Sequence, residues 1–111
     1  MRAKKVDTTH GEIRDHLRNA GWSVFDTSAV GQGFPDLMAS RLGFTAGIEC
    51  KSGPQTRAEF KLNEAQREFL RGWQGVYIVS TSGADAEKQL LLAMGYTGKP
   101  AQLARKAHKF K

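Results

Sequence analysis

The 111-residue chain is poor in cysteine, proline and acid: one Cys, three Pro, and 11 Asp plus Glu against 17 Lys plus Arg. The lone cysteine, Cys50, excludes an internal disulfide framework and points to a reducing compartment. One cysteine and three histidines do not make a zinc cluster. No apolar run approaches the roughly 20 residues of a membrane-spanning helix. Met1 to His10 is basic and polar, without the apolar segment of a secretory signal. Internal repeats and low-complexity stretches are absent. Gly31 and Gly33 suit a tight turn, because no G-x-x-x-x-G-K-[ST] motif or strand-to-helix G-x-G-x-x-G motif accompanies them. The expectation is one soluble cytoplasmic domain, large enough for a core without metal or disulfide staples.

The net charge of +6 is unevenly spread. Lys99, Arg105, Lys106, Lys109 and Lys111 put +5 into the last 13 residues, where no acid occurs. Residues 1–98 form a nearly neutral body and 99–111 a cationic arm. Such an arm suits nucleic acid, because each neutralised phosphate releases counterions. The ordinary alternative is a solvated, frayed terminus. A membrane-surface helix fits poorly, since Leu103 and Phe110 are the arm's large apolar residues.

Periodicity predicts the elements. Ile13, Leu17 and Ala20 share one face of a helix from about Thr9 to Ala20, stopped by Gly21. Trp22–Thr27 reads as a strand, Ala29–Gly33 as a turn and Phe34–Ser40 as a second strand with Pro35 at its start. After a tight turn at Arg41–Gly43, Phe44–Lys51 alternates cleanly. Phe44, Ala46, Ile48 and Cys50 fall on a core face, with Thr45, Gly47, Glu49 and Lys51 opposite. Ser52–Lys61 is a polar loop. A helix over Asn63–Trp73, a strand over Gly75–Ser80 and a helix over Ser82–Met94 follow. The order α-β-β-β-α-β-α predicts an α/β fold with a mixed four-stranded sheet flanked by helices. The first three strands pair as antiparallel neighbours; the fourth returns across a helix as a parallel neighbour.

This arrangement brings chemistry together. Asp36 begins one strand, and Glu49 and Lys51 share a face of the next. If those strands are hairpin neighbours, two carboxylates and an ammonium converge at one end of the sheet. Mg²⁺ is commonly held by one or two carboxylates, with waters and substrate phosphate oxygens filling the rest of its shell. A lysine beside them can hold a water or stabilise developing negative charge. The chemistry implied is metal-assisted phosphodiester hydrolysis. The alternative stays open at this level: a solvent-face Glu49–Lys51 pair, with Asp36 as a turn residue.

Pro35-Asp36 followed by Glu49-Cys50-Lys51 resembles the PD…ExK signature of restriction-endonuclease-like nucleases. Gly33-Phe34-Pro35-Asp36-Leu37, Ile48-Glu49-Cys50-Lys51-Ser52-Gly53-Pro54 and Leu62-Asn63-Glu64-Ala65-Gln66 resemble the VRR-NUC branch in particular. The likeness extends over Gly11 to Ser80 and, more loosely, to Holliday-junction resolvases that share the core. The resemblance implies a Mg²⁺- or Mn²⁺-dependent DNA endonuclease acting on branched or junction DNA. It further implies a homodimer, no organic cofactor, and a bacterial or phage-infected host cell. It assigns Asp36, Glu49 and the main-chain carbonyl of Cys50 to the metal, and Lys51 to catalysis. In the loop, Thr56 or Glu59 stands where relatives often carry aspartate.

The resemblance also proposes Glu12, as a further acid from the first helix, and Gln66. Glu12 has a competing reading as the N3 residue of a capping box, Thr9-His10-Gly11-Glu12. Gln66 lies within the apolar stripe of Leu62, Phe69, Leu70 and Trp73, where a buried amide needs partners; a water or Lys51 would serve. It too has a capping-box alternative, Asn63-x-x-Gln66. His10, His16 and His108 read as surface polar groups, and Trp22 and Trp73 as core. Arg57, Lys61, Arg105, Lys106, Lys109 and Lys111 are the expected DNA-backbone contacts. The rival functions are a DNA-binding module of the same fold that does not cut, and a protein-interaction adaptor with a basic tail.

Overall fold

The computed structural model describes residues 3–52 and 62–95, with side chains from residue 9 onward. Three helices and a four-stranded mixed sheet follow in the order α1 (Ala3–Asn19), β1 (Ser23–Asp26), β2 (Leu37–Arg41), β3 (Phe44–Cys50), α2 (Glu64–Gly72), β4 (Val76–Ser80) and α3 (Gly83–Ala93). A single 3-10 turn, Ser28–Val30, lies between β1 and β2. The sheet order is β1-β2-β3-β4. The first two pairings are antiparallel and β3–β4 is parallel, as the connection lengths require. Leu42 and Gly43 close the β2–β3 hairpin with φ of 55° and 84°, the positive pair that suits strand twist in a two-residue loop. No helix among the described residues is long and apolar enough to cross a membrane.

Alternation sorts the sheet into two faces. Val24, Leu37, Ala39, Ala46, Ile48 and Ile78 turn to the side covered by α1 and α3. There they join Ile13, Leu17, Trp22, Ala86 and Leu90 in one buried core. Ile13 and Leu17 are fully buried, one helical turn apart on α1. Each such side chain contributes about 1.5–3 kcal/mol through burial. Phe44 and Cys50 pack against the same cluster, so the alternation expected of this strand holds. Trp22 meets Phe44 edge-on at 6.2 Å, a core tryptophan as expected. The opposite face receives α2 through aromatics. Phe69 contacts Phe34 edge-on at 5.3 Å, stacks on Trp73 at 5.3 Å and lies 6.3 Å from Tyr77.

Two boundaries differ from expectation. α1 begins at Ala3 and runs through Thr9, His10 and Gly11, so Glu12 is mid-helix and not the N3 residue of a capping box. A helix-interior glycine costs about 1 kcal/mol relative to alanine, which the buried face downstream absorbs. The second strand begins at Leu37, three residues after Phe34. Gly33 has φ of 83°, and Pro35 has no N–H to give a ladder, so Phe34–Asp36 enters the sheet as an irregular lead.

Gly33 is fixed by contact as well as by φ. A Cβ built there would lie 2.0 Å from the Ala65 carbonyl oxygen in the first turn of α2, whereas one at Gly31 (φ 72°) would meet nothing within 4 Å. The lead segment therefore touches helix backbone directly. Gly31→Ala should lose about 1–3 kcal/mol, from backbone strain at φ 72°, ψ −165° alone. Gly33→Ala should lose more, about 2–4 kcal/mol, because overpacking is added. Urea unfolding of the two variants checks this; equal losses would show that the close approach carries no weight.

Candidate active site

The register that builds the core also builds the site. Leu37 pairs with Ile48 in the antiparallel β2–β3 ladder, so Asp36 and Glu49 are the next residues opposite one another. Pro35 is fully buried and its ring occupies the space above Gly47; a Cβ on Gly47 would lie 2.6 Å from Pro35 Cγ. Gly47 thus breaks the run of side chains on β3 so that the residue before Asp36 can lie flat on the sheet. From the β1 side, Thr27 holds the same peptide pair. Its N–H donates to the Asp36 carbonyl at 2.9 Å and its hydroxyl to the Pro35 carbonyl at 2.7 Å. The Asp36 carboxylate accepts the Cys50 N–H through Oδ2 at 2.9 Å.

Glu49 is 6% exposed. Its Oε2 accepts from Gln66 Nε2 at 2.7 Å and lies 3.9 Å from Lys51 Nζ. Its Oε1 is buried and accepts no hydrogen bond from a protein N–H or O–H group. Burial, then the negative charge of Asp36 and, least, a direct carboxyl–carboxyl contact with Asp36 push the Glu49 carboxyl up to about 7; Lys51 and the Gln66 hydrogen bond pull the other way without compensating. Two carboxylates, one partly exposed ammonium and a bare buried oxygen make an acidic pocket short of positive charge.

Gln66 reconciles both readings of its position. Its backbone N–H donates to Asn63 Oδ1 at 2.8 Å and its Oε1 accepts the Asn63 N–H at 2.9 Å, completing a capping box at the start of α2. That leaves Nε2 free to reach Glu49. The partner seen is the Glu49 carboxylate, where the sequence offers Lys51 or a water. A helix cap therefore doubles as the brace of the buried acid.

Glu12 lies elsewhere. Its Oε1 accepts the Gly83 N–H at 2.7 Å, beside the Ser82 cap at the start of α3. A carboxylate there complements the positive end of the helix dipole. The expectation that Glu12 joins Asp36 and Glu49 is not met. Among the described residues no three His, Cys, Asp or Glu side chains gather as a metal cage. His16 Nε2 is 2.7 Å from Glu87 Oε1 and stitches α1 to α3. Arg57, Lys61, Thr56 and Glu59, and Arg105, Lys106, Lys109 and Lys111 of the arm, lie outside the described residues.

Sequence reasoning missed two contributors. Thr27 ends the expected first strand, and its hold on Pro35 and Asp36 follows from a loop path that spacing does not encode. Tyr77 pairs with Gly47 across β3–β4 and so projects onto the Glu49 face. A tyrosine inside the otherwise aliphatic run Val76–Val79 is the available signal.

The residues fit a hard, oxygen-seeking divalent cation. Asp36 and Glu49 supply paired carboxylates, the unpartnered Glu49 Oε1 is a ready donor, and the charge deficit favours a cation. No family model matches the chain, and no curated protein or solved structure matches it either.

The raised Glu49 carboxyl has a thermodynamic consequence. Its folded value lies above its unfolded one, so between about pH 4.5 and 7 the folded state holds a proton the unfolded chain has released. Stability in metal-free buffer should fall as pH rises through this window, by up to about 3 kcal/mol from this group. Glu49→Gln should lose that component and be the more stable protein at pH 8. Urea midpoints of both proteins at pH 5 and pH 8 provide the check; parallel pH profiles would refute a strained Glu49.

Proposed function

We propose that the protein is a divalent-metal-dependent nuclease that hydrolyses DNA phosphodiester bonds on a restriction-endonuclease-like core of the VRR-NUC kind. One observation carries this reading: Asp36 and Glu49 face each other at the end of a β-hairpin, with Lys51 beside them and Glu49 Oε1 unpartnered.

Asp36 and Glu49 would hold Mg²⁺ or Mn²⁺, and the Cys50 carbonyl would be the third protein donor. The bound ion supplies Lewis-acid polarisation of the scissile phosphate and a more acidic water. The chain's own groups do the rest. The Cys50 N–H fixes one Asp36 oxygen, and Gln66 fixes one Glu49 oxygen, so both carboxylates are oriented before substrate arrives. Lys51 extends from the same strand face to a partly exposed position, where its ammonium can orient the attacking water or stabilise charge on the phosphoryl oxygens in the transition state. Hydrolysis adds water across one P–O bond and leaves a phosphate monoester and a hydroxyl.

Glu12 anchors α3 and takes no part in this ion shell. Arg57, Lys61 and the 99–111 arm grip phosphates, so affinity falls steeply with salt and responds to DNA shape more than sequence. Two copies related by a two-fold axis would place paired incisions on a branched substrate.

Purified protein incubated with junction and linear DNA should cleave in Mg²⁺ or Mn²⁺ and not in EDTA. Asp36→Asn and Lys51→Ala should each lose at least about 100-fold in rate while still binding DNA. Cleavage unchanged in Asp36→Asn would remove the pair from the chemistry. Salt-sensitive binding with no metal-dependent cutting would favour the non-cleaving DNA-binding module.

A further inference from the structure

The Asp36–Glu49 pocket contains a second polar atom without a partner. Tyr77 Oη is buried and makes no hydrogen bond, as does Glu49 Oε1. Unpaired buried hydroxyls and carboxylate oxygens are each costly, and native structures satisfy them with protein or ordered water. The register places the two on one face. Gly47 pairs with Tyr77 and Glu49 with Val79, so the Tyr77 side chain rises one step before Glu49 along adjacent parallel strands. Phe69 packs against the Tyr77 ring and α2 covers both residues, which limits where the phenol can point.

We propose that Tyr77 is a positioning residue for the metal-binding acids, donating its hydroxyl hydrogen to one buried water that in turn donates to Glu49 Oε1, with that oxygen's second lone pair and the Asp36 carboxylate left to the ion. Buried waters make two to four hydrogen bonds, so Tyr77 Oη and Glu49 Oε1 are enough to hold one. With Gln66 on Oε2 and the Tyr77-held water on Oε1, both oxygens of Glu49 are fixed. Burial and the negative charges of Glu49 and Asp36 hold the phenol well above its usual range, so it remains a donor throughout the physiological pH window. Such outer partners of metal-binding carboxylates commonly contribute 10- to 100-fold in metal affinity.

The proposal rests on the ion-binding reading for its consequence but not for its geometry, and two measurements separate them. A crystal structure of the metal-free wild type should show one water within hydrogen-bond distance of both Tyr77 Oη and Glu49 Oε1, and Tyr77→Phe should lack it. Calorimetric titration with Mg²⁺ alone should give a Kd about tenfold weaker in Tyr77→Phe, with the Gln66–Glu49 hydrogen bond still present in that variant's structure. A Tyr77 hydroxyl bonded to another protein group, or no shared water, overturns the proposal whatever Mg²⁺ does. Unchanged Mg²⁺ affinity in Tyr77→Phe overturns it as well. If the wild type holds the water but binds no Mg²⁺, the nuclease reading falls while the bracing of Glu49 by Tyr77 stands.

Discussion

The burial of Glu49 under α2 organises everything around it. A carboxylate taken out of water must be paired, hydrogen-bonded or protonated. Here one oxygen is bonded to Gln66 and the other is bare, and Asp36 sits opposite with a charge of the same sign. Lys51, at 3.9 Å, is too far to offset that arrangement fully. A structure that needed only stability would replace such a pair with apolar side chains. On the nuclease reading proposed above, this charge imbalance is what a bound cation would offset.

The scaffold spends several small devices on holding that strain in place. Gly33 lets the lead segment touch the first turn of α2, Gly47 makes room for Pro35, and Thr27 ties Pro35 and Asp36 to the end of β1. Gln66 begins α2 and braces Glu49 with different atoms of the same amide. Each device lies on the side of the sheet away from the α1–α3 core. Core packing and site geometry thus share the strands but use alternate residues.

Much of this was legible in the chain. Period-two alternation in Phe44–Cys50 assigned its two faces, and short turns against one helical crossover gave the strand directions. The convergence of Asp36, Glu49 and Lys51 followed from those alone. What escaped was longer in range. α1 starts six residues before Thr9, because a Thr-x-x-Glu spacing inside a longer helix looks the same in sequence as a cap. Glu12 accepts from Gly83 at the start of α3, a partner that a one-dimensional motif does not show. Tyr77 was overlooked because its meaning depends on pairing with Gly47, a contact 30 positions away in sequence.

Anomalous diffraction from a crystal soaked in Mn²⁺ addresses the central claim most directly. One peak between the Asp36 and Glu49 carboxylates, within coordinating distance of both, is the predicted result. A peak at any other place, or none beside a well-ordered Asp36–Glu49 pair, would contradict a shared ion and with it the hydrolytic role.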